Sequence, residues 1–358
     1  MRNRKTEICS HATCDAPCYP SMIGRKPRCY EHRHHPGGKA YEDPPSVPLD
    51  RPAPIEQLAA PSHRERIVEV AKRTAKLRDD LFPRSRRRTR VLQTDNEPAI
   101  LVLSADWHFG GAAVDIAGIE GHLKWIKNTA GVWMLVLGDE NENTVRFYDQ
   151  RAVMGQTVVP DIQLVWLMDT FKDLIQRDKV AATGWSNHME ARQQRDNGYS
   201  IVEYMKAHSA IYFDGAGLLD LRVGDVEYEI LMNHRWPGHS MYNLLHSMGR
   251  AVRELRPTAD VAVGAHFHRP AISIIPKYGS AFPERDGEYA DNDLILVATG
   301  TFQRDDPYSG RYFQPGIPGT PAIVFHHDRK HLVPFRYASD AALYLDGWRA
   351  AQKQGRAA

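Results

Sequence analysis

Residues 99–108 read AILVLSADWH. The run Ala99–Ser104 is almost entirely apolar and rich in Ile, Leu and Val, which is typical of a strand buried on both faces. Directly after it come Asp106 and His108, two side chains that ligate metal ions. Ligands of open α/β sheets gather beyond the carboxyl ends of the strands. The stretch therefore predicts an α/β fold with a site at the end of a strand.

The same pattern, an apolar run followed by a metal-ligating side chain, recurs four times. The runs Val132–Leu137, Val180–Thr183, Val226–Met232 and Val261–Val263 lead to Asp139, to Asn187 and His188, to His234, and to His266 and His268. Residues two apart on an extended segment point the same way, so each Asp-x-His or His-x-His pair is expected to face one site. Carboxylates and imidazoles suit Mn²⁺, Fe and Zn²⁺, and a shared carboxylate can bridge two ions. The five stretches together predict a two-metal centre.

Helical periodicity separates several of these runs. Helices are predicted at Ile116–Asn128, Asp161–Arg177, 240–255 and 339–353, and further strands at 218–223, 271–276, 294–298, 322–325 and 332–336. Gly224-Asp225 between two strand-like runs indicates a hairpin. This alternation predicts layered α/β architecture. The remaining histidines, among them His122 and His326, fit no ligand spacing and are predicted to be surface or helix residues.

The composition predicts a globular protein without a membrane span. The chain has 358 residues and 42% hydrophobic residues, enough for a sizeable core. It contains no apolar run long enough to span a membrane and no apolar signal-peptide core at its start. A cytoplasmic protein without a membrane partner is expected, in the host cytoplasm if the chain is encoded by a phage.

Charge is distributed unevenly along the chain. Residues 1–90 hold 20 Lys and Arg against 11 Asp and Glu, whereas the remainder holds 26 against 33. Residues 63–90 combine a predicted helix, 63–82, with the basic run 84–90. A basic N-terminal part and an acidic C-terminal part favour contact between the N-terminal part and a polyanion, so nucleic acid is the expected partner. A solvated basic arm is the alternative.

All four cysteines lie in the first 29 residues. Cys9 and Cys14 form one close pair, Cys29 and His32 a second, and 14 residues separate the pairs. Four such ligands predict a closed, tetrahedral structural Zn²⁺ site, whose binding would supply the folding energy of so small a module. Cys18 in place of His32 is an alternative ligand set. The spacing resembles that of small fingers fused to phage and bacterial nucleases. Residues 1–35 are thus predicted to be a zinc-binding module, followed by a Pro-rich linker over 36–62.

The ordered metal motifs of residues 97–336 resemble those of the calcineurin-like metallophosphoesterase superfamily, which includes the Mre11/SbcD nucleases. The resemblance implies a four-layered α/β/β/α sandwich, placed here at 91–338, with a C-terminal helix and tail at 339–358. It implies that the first metal is held by Asp106, His108 and His268, and the second by Asn187, His234 and His266. Asp139 would bridge the metals and His188 would be the general acid. Relatives of this kind often pair, so a homodimer is a further expectation.

The chain departs from the family pattern around His188. Ser186 stands where the family has Gly, and Met189 stands where it has an acid, with Glu190 one place on. The second acid of the Gly-Asp motif is Glu142 instead of Asp, and Ala265 is inserted between Gly264 and His266. In the family that second acid orients the catalytic His, so Glu142 or Glu190 is expected to hold His188. Arg192 is a candidate phosphate clamp because its planar fork suits phosphate oxygens.

These motifs predict a two-metal phosphoesterase, with Mn²⁺ the expected metal and Fe, Zn²⁺ or Mg²⁺ as alternatives. A hydroxide shared by the metals would attack phosphorus while His188 protonates the leaving group. A nuclease acting on DNA or RNA is the leading hypothesis. A small-molecule phosphatase or nucleotide phosphodiesterase with a protein-binding finger is the second, and a non-catalytic metal-binding scaffold is the third.

Overall fold

The structure is a computed structural model. It describes residues 7–8, 17–18, 66–70, 72, 86–143, 155–186, 188, 204–205, 207–208, 211–238, 240, 243–277, 293–304 and 316–355. The chain divides into two units, Met1–Arg66 and Ile67–Ala358. In the first unit, strands β1 (Glu7–Ile8) and β2 (Pro17–Cys18) pair antiparallel. The predicted zinc ligands Cys9, Cys14, Cys29 and His32 lie outside the described residues.

Six strands of the second unit form its first sheet. Their chain order is β4 (Ala99–Ser104), β5 (Val132–Val136), β6 (Val180–Gly184), β7 (Tyr212–Phe213), β13 (Ala322–Phe325) and β14 (Leu332–Phe335). Their order across the sheet is β14-β13-β4-β5-β6-β7. Strands β4 to β7 run parallel, and β13 and β14 join antiparallel at one side. The carboxyl ends of β4, β5 and β6 therefore lie side by side at one edge.

The second sheet also has six strands. They are β3 (Arg87–Leu92), β8 (Gly217–Val223), β9 (Val226–Asn233), β10 (Val261–Gly264), β11 (Ala271–Pro276) and β12 (Asp293–Ala298), in the order β11-β12-β10-β9-β8-β3 across the sheet. Strands β9, β10 and β12 are parallel, and β8 pairs antiparallel with β9 through the predicted hairpin. The carboxyl ends of β9 and β10 are thus neighbours as well.

The two sheets pack face to face, and helices cover their outer faces. Leu101 and Leu135 of the first sheet lie in one buried cluster with Leu221 and Ile230 of the second. Helices α1 (Ile116–Asn128), α2 (Pro160–Gln176) and α4 (Ala338–Gly355) bury residues against the first sheet, and α3 (His246–Leu255) against the second. This α/β/β/α layering confirms the predicted fold class for the described part of the chain. None of the helices described is long and apolar enough to cross a membrane.

The sequence patterns locate most elements to within two residues, since runs such as Ala99–Ser104 are both apolar and completely buried. One exception is the helix predicted at 240–255, which begins only at His246. The main exception is β3, which occupies part of the basic run 84–90 and crosses the predicted domain boundary at residue 91. Arg87 and Arg90 form ion pairs there, the first with Asp220 and Glu229 and the second with Asp178. An arginine-rich edge strand shows no apolar alternation, so its sequence resembles an exposed arm. The short strand β7 was likewise not predicted.

Candidate metal centre

The predicted metal-ligating residues follow the carboxyl ends of five parallel strands. Asp106 and His108 come after β4, Asp139 after β5 and His188 after β6, while His234 follows β9 and the pair His266 and His268 follows β10. Backbone hydrogen bonds hold adjacent loops in register. The Asp106 N–H donates to Gly138 O at 3.0 Å, and the Ala265 N–H donates to His234 O at 2.9 Å. The two sheets thereby bring these loops to one place.

The backbone at these loops is left-handed instead of extended. φ is 51° at Asp106, 49° at His108, 56° at Asp139, 73° at His266 and 54° at His268. The expectation that the two residues of each Asp-x-His or His-x-His pair lie on an extended segment was therefore wrong. Such values are uncommon for residues other than glycine and cost free energy, which the surrounding packing must offset. Tight left-handed turns aim both side chains of a pair into the centre.

The first ligand group consists of Asp106, His108 and His268. Their ligand atoms lie within 4.8 Å of one another. The Nε2 atoms of the two histidines are 3.1 Å apart, and Asp106 Oδ1 is 3.4 Å from His268 Nε2 and 4.0 Å from His108 Nε2. Asp106 and His108 are buried, whereas His268 is partly exposed. One carboxylate oxygen and two imidazole nitrogens thus converge on one point.

The second group consists of Asp139, His234 and His266. Asp139 Oδ2 lies 3.1 Å from His234 Nε2, and both residues are buried. The ring centres of His234 and His266 are 5.3 Å apart. Asp139, the predicted bridging ligand, lies in this group and not in the first. The bridging role stays a prediction.

Two buried polar atoms of the centre lack a hydrogen-bond partner among the described residues: Asp106 Oδ1 and His234 Nε2. A buried donor or acceptor without a partner is costly unless something else satisfies it. Each atom belongs to one of the two groups, and each faces other ligand atoms. Carboxylate and imidazole donors in this arrangement fit divalent transition metals. The residues present therefore fit two metal ions.

The other polar atom of each of these side chains is anchored to the backbone. His234 Nδ1 donates to Leu137 O at 2.8 Å, which leaves Nε2 for a metal. Asp106 Oδ2 accepts from the His266 N–H, and Asp139 Oδ1 accepts from the His188 N–H, each at 3.0 Å. Hydrogen bonds of this kind fix the orientation and tautomer of metal ligands. The groups that orient the candidate ligands are thus largely backbone groups of the loops themselves.

The pKa values of the two carboxylates reflect the histidines around them. Burial raises the pKa of Asp139, but the positive charges of His188 and His234 outweigh burial and hold it well below its usual range. Asp106 also has a lowered pKa, because His268 outweighs burial. Burial lowers the pKa of His234, yet Asp139 raises it to about 9. Protons on the histidines here do what bound cations would do, which is to neutralise buried carboxylates.

Glu142 lies between His108 and His188. Its Oε2 is 2.9 Å from His108 Nδ1 and 4.0 Å from His188 Nδ1, and its backbone oxygen is 3.0 Å from His188 Nδ1. These three side chains could hold an ion by spacing alone. Yet His108 presents Nε2 to the first group and Nδ1 to Glu142, which is the usual carboxylate–histidine–metal arrangement. Glu142 is therefore placed to orient His108 with its carboxylate and His188 with its carbonyl.

Gly138 and Ser186 pack closely against each other beside the Asp139 loop. Gly138 has φ +98°, and a Cβ at this position would lie 2.3 Å from Ser186 Cβ. The Ser186 side chain is fully buried and fills the space beside the glycine. A small buried side chain thus lies against the Asp139 loop.

Four buried polar residues beside the centre were not predicted from the sequence. They are Glu140, Asn141, Asn143 and Gln163, each exposed by 5% or less. Burial raises the pKa of Glu140 to about 8. The polar run from Asp139 to Asn143 directly after a buried strand was the available signal for the first three. Gln163 sits in an amphipathic helix, and nothing in the sequence separates it from a surface residue.

Two predicted site residues, Asn187 and Arg192, lie outside the described part of the chain. The predicted orienting alternative Glu190 does too. Their roles stay predictions.

Comparisons with known proteins return distant structural likenesses. A protein from Streptococcus pneumoniae, titled a predicted phosphoesterase, is 10% identical with a TM-score of 0.28, over 66% of this chain and 97% of that one. Vps29 from Chaetomium thermophilum is 12% identical with a TM-score of 0.31, over 67% and 94%. A Thermotoga maritima protein is 13% identical with a TM-score of 0.30, over 66% and 97%. No family model and no curated protein matches the chain. At these identities and scores, function has to be inferred from the metal centre itself.

Proposed function

We propose that this chain is a two-metal phosphoesterase that hydrolyses phosphodiester bonds. The observation that carries the proposal is the pair of ligand groups, each with a buried polar atom that makes no hydrogen bond among the described residues and faces other ligand atoms. The order of the motifs, which resembles that of metallophosphoesterases, supports it. Two divalent ions, when bound, would neutralise phosphate charge and provide a nucleophile near neutral pH.

The chain's own residues would hold these ions and move one proton. Asp106, His108 and His268 would hold one ion, and His234 and His266 the other with Asn187, with Asp139 shared between them. His188 lies beside the centre, with Nε2 4.0 Å from Asp139 Oδ2. In the reaction a water oxygen forms the new bond to phosphorus and the P–O bond to the leaving group breaks. His188 gives its proton to the departing oxygen, and solvent reprotonates the ring.

Nucleic acid is the substrate we propose. The charge asymmetry of the sequence supports it, and so does the position of β3. Arg87 pairs with Leu218 of β8, and Leu218 pairs with Leu231 of β9. Leu231 lies three residues before His234. β3 runs opposite to β9, so its arginine-rich start points to the edge of the sheet that carries the metal centre. Two strand spacings, about 10 Å, separate β3 from β9.

Arg86 and Arg88 are exposed at that end of β3. Phosphates flanking the scissile bond could reach them, and such contacts give salt-dependent affinity without sequence preference. We also propose that the N-terminal module binds a structural zinc and contributes further basic contacts. The ion pairs of Arg87 and Arg90 reduce the free positive charge of the strand, which favours a small phosphoester as the second candidate substrate.

Two measurements test the proposal. The first is an activity panel with Mn²⁺ on single- and double-stranded DNA, RNA and bis-p-nitrophenyl phosphate. The wild type is expected to cleave a nucleic acid, and Asp139→Asn or His188→Ala to abolish cleavage. Turnover of the small diester alone would exclude the nucleic-acid substrate. Bound metal without turnover of any ester would exclude the enzyme and leave a scaffold.

The second measurement is the affinity for a single-stranded oligonucleotide as a function of salt, followed by fluorescence anisotropy. Arg86→Glu is expected to weaken binding and to flatten the salt dependence by about one unit of slope. Arg329→Glu is the matched control, because Arg329 is exposed in the β13–β14 turn, at the end of the first sheet away from the metal centre. Equal effects of the two substitutions on affinity would argue against contacts between β3 and the phosphates of the nucleic acid.

A further inference from the structure

Gln163 of helix α2 has a buried carboxamide whose oxygen and nitrogen both form hydrogen bonds. Its Oε1 accepts from the backbone N–H of Asn143 at 2.8 Å. Its Nε2 donates to Val158 O at 2.7 Å and to Gln156 Oε1 at 2.9 Å. The side chain is fully buried. A buried amide with all these bonds made is held in one orientation, so it can serve as a fixed support.

Gln163 also supports the loop that follows His108. Gly110 has φ +98°, and a Cβ there would lie 2.2 Å from Gln163 Nε2. Only glycine fits so close to the carboxamide. The loop of the first ligand group and the loop of Asp139 therefore both rest on this one side chain of α2.

Asn143 connects that support to His188. It is fully buried with φ 48°, and its Nδ2 donates to the backbone oxygen of His188 at 3.0 Å. The His188 N–H donates to Asp139 Oδ1 at 3.0 Å, and His188 Nδ1 lies 3.0 Å from the Glu142 backbone oxygen. The segment from Asp139 to Asn143 thus holds His188 at its N–H, its carbonyl and its ring.

We propose that Asn143 and Gln163 are positioning residues for His188, acting in series: Gln163 fixes Asn143, and Asn143 fixes the backbone of His188. The inference rests on the proposed function, in which His188 protonates the leaving group. In the family pattern a second acid orients the catalytic histidine, and we assign that role here to Asn143 and Gln163. They act around His188, which is where this chain departs from the pattern. A misplacement of about 1 Å costs much of a proton transfer, since the acid must lie within hydrogen-bond reach of the leaving oxygen.

The carboxamide of Asn143 meets two requirements at once. A donor is needed opposite a carbonyl oxygen, which excludes aspartate. A left-handed backbone is needed as well, which asparagine and aspartate tolerate better than most residues. Asn143→Asp therefore removes the donor while it keeps the size and the backbone preference. Gln163→Met removes the acceptor for the Asn143 N–H with little change in volume.

The experiment compares aryl methyl phosphate diesters whose leaving phenols range from p-nitrophenol to phenol. An acidic phenol departs without a proton, whereas a weakly acidic one needs the general acid. For Asn143→Asp and for Gln163→Met we expect kcat to fall ~30-fold or more with phenol, which is part of the roughly 10²–10⁴-fold that general acid catalysis contributes. With p-nitrophenol we expect a loss of less than about threefold. KM and the number of bound Mn²⁺ ions, measured by calorimetry, should stay unchanged.

The double variant provides a second criterion, because residues acting in series are non-additive. Its loss of kcat with phenol should equal that of the more severe single variant. Asn96→Asp is the matched control: Asn96 is also a left-handed asparagine, with φ 56°, but it is exposed in the turn before β4. That control should match the wild type with every ester.

Equal losses across all leaving groups, lost metal stoichiometry, or additive effects in the double variant would overturn the inference. If one single variant does not fold, the other decides by the same criterion. A wild type that cleaves neither these esters nor any nucleic acid of the activity panel would instead refute the proposed function, so the two failures are distinguishable.

Discussion

Three candidate ligands of the centre, Asp106, Asp139 and His234, bond to the protein backbone through one polar atom and turn the other towards the ligand groups. His234 bonds to Leu137 O, Asp106 to the His266 N–H, and Asp139 to the His188 N–H. Because these partners are backbone groups of neighbouring loops, the ligands orient one another. His108 differs, since its partner is a carboxylate, Glu142.

That difference gives a prediction for Glu142→Gln. Glutamine keeps an acceptor for His108 Nδ1 but lacks the charge that makes the imidazole a stronger ligand. We expect the affinity for Mn²⁺ at one site to fall by about tenfold. Titration calorimetry of the metal-free protein measures it.

Glu120→Gln is the matched control for that measurement. Glu120 also accepts a hydrogen bond from an aromatic N–H, that of Trp166 at 3.0 Å, but on the outer helices. The affinity of the Glu120→Gln variant for Mn²⁺ should equal that of the wild type. An unchanged affinity in Glu142→Gln would show that Glu142 does not orient His108.

At the scale of elements, the last helix is joined to the first sheet through a buried histidine. His326, at the end of β13, was predicted to be a surface or helix residue, but it is 3% exposed. Its Nε2 lies 3.0 Å from the hydroxyl of Tyr344 on α4, and Asp328, Arg329 and His331 are its charged or titratable neighbours. Burial, with help from His331 and Arg329, lowers the pKa of His326 to about 4.

The sign of the resulting pH dependence follows from that shift. The unfolded histidine has an ordinary pKa of 6.5, so between pH 6.5 and about 4 the unfolded state binds more protons than the folded state. The contribution to stability is complete above pH 6.5 and is lost as the pH falls towards 4. We expect His326→Gln to reduce this acid-induced loss by on the order of 1 kcal/mol, since neighbouring charges and solvent screen the effect.

Thermal unfolding between pH 7.5 and 4.5 measures this difference between variant and wild type. His246→Gln is the control, because His246 is exposed at the start of α3. Parallel curves for wild type and His326→Gln would mean that His326 takes up its proton at the same pH in the folded and unfolded states.

At the scale of the whole molecule, the centre joins the two sheets. Each ligand group combines residues from both: Asp106 and His108 with His268, and Asp139 with His234 and His266. Without metals, these buried carboxylates and histidines are neutralised only by protons. Metal binding should therefore stabilise the whole second unit and not just its loops.

We expect Mn²⁺ at 100 times its Kd to raise the free energy of unfolding by about 2.7 kcal/mol per ion, with an increase in Tm of several degrees. Asp139→Asn should lose most of the increase. Mn²⁺ is preferable to Zn²⁺ as the probe, because the N-terminal cysteines would compete for zinc. Differential scanning fluorimetry with and without chelator measures the effect, with Glu120→Gln as control, and a Tm insensitive to Mn²⁺ would refute two bound ions.

The sequence alone was enough to predict the α/β layering, the strands that precede the centre and six candidate metal ligands that the structure brings together. Apolar runs such as Ala99–Ser104 are buried on both faces, so their residues alone specify a strand, and the ligands sit at fixed positions beyond them. These are local properties of the chain, and a local pattern is enough to predict them.

Which groups orient the ligands, and how the loops turn, depends on tertiary packing. The left-handed φ of Asp106 and His268, the contact of Glu142 with His108 and the support of Asn143 by Gln163 have no local signature. Gln163 is 20 residues from Asn143 in sequence, and β3 is an arginine-rich edge strand whose partner β8 lies more than 120 residues away. Such contacts depend on how sheets and helices pack, and the free energy of that packing is not contained in any single segment.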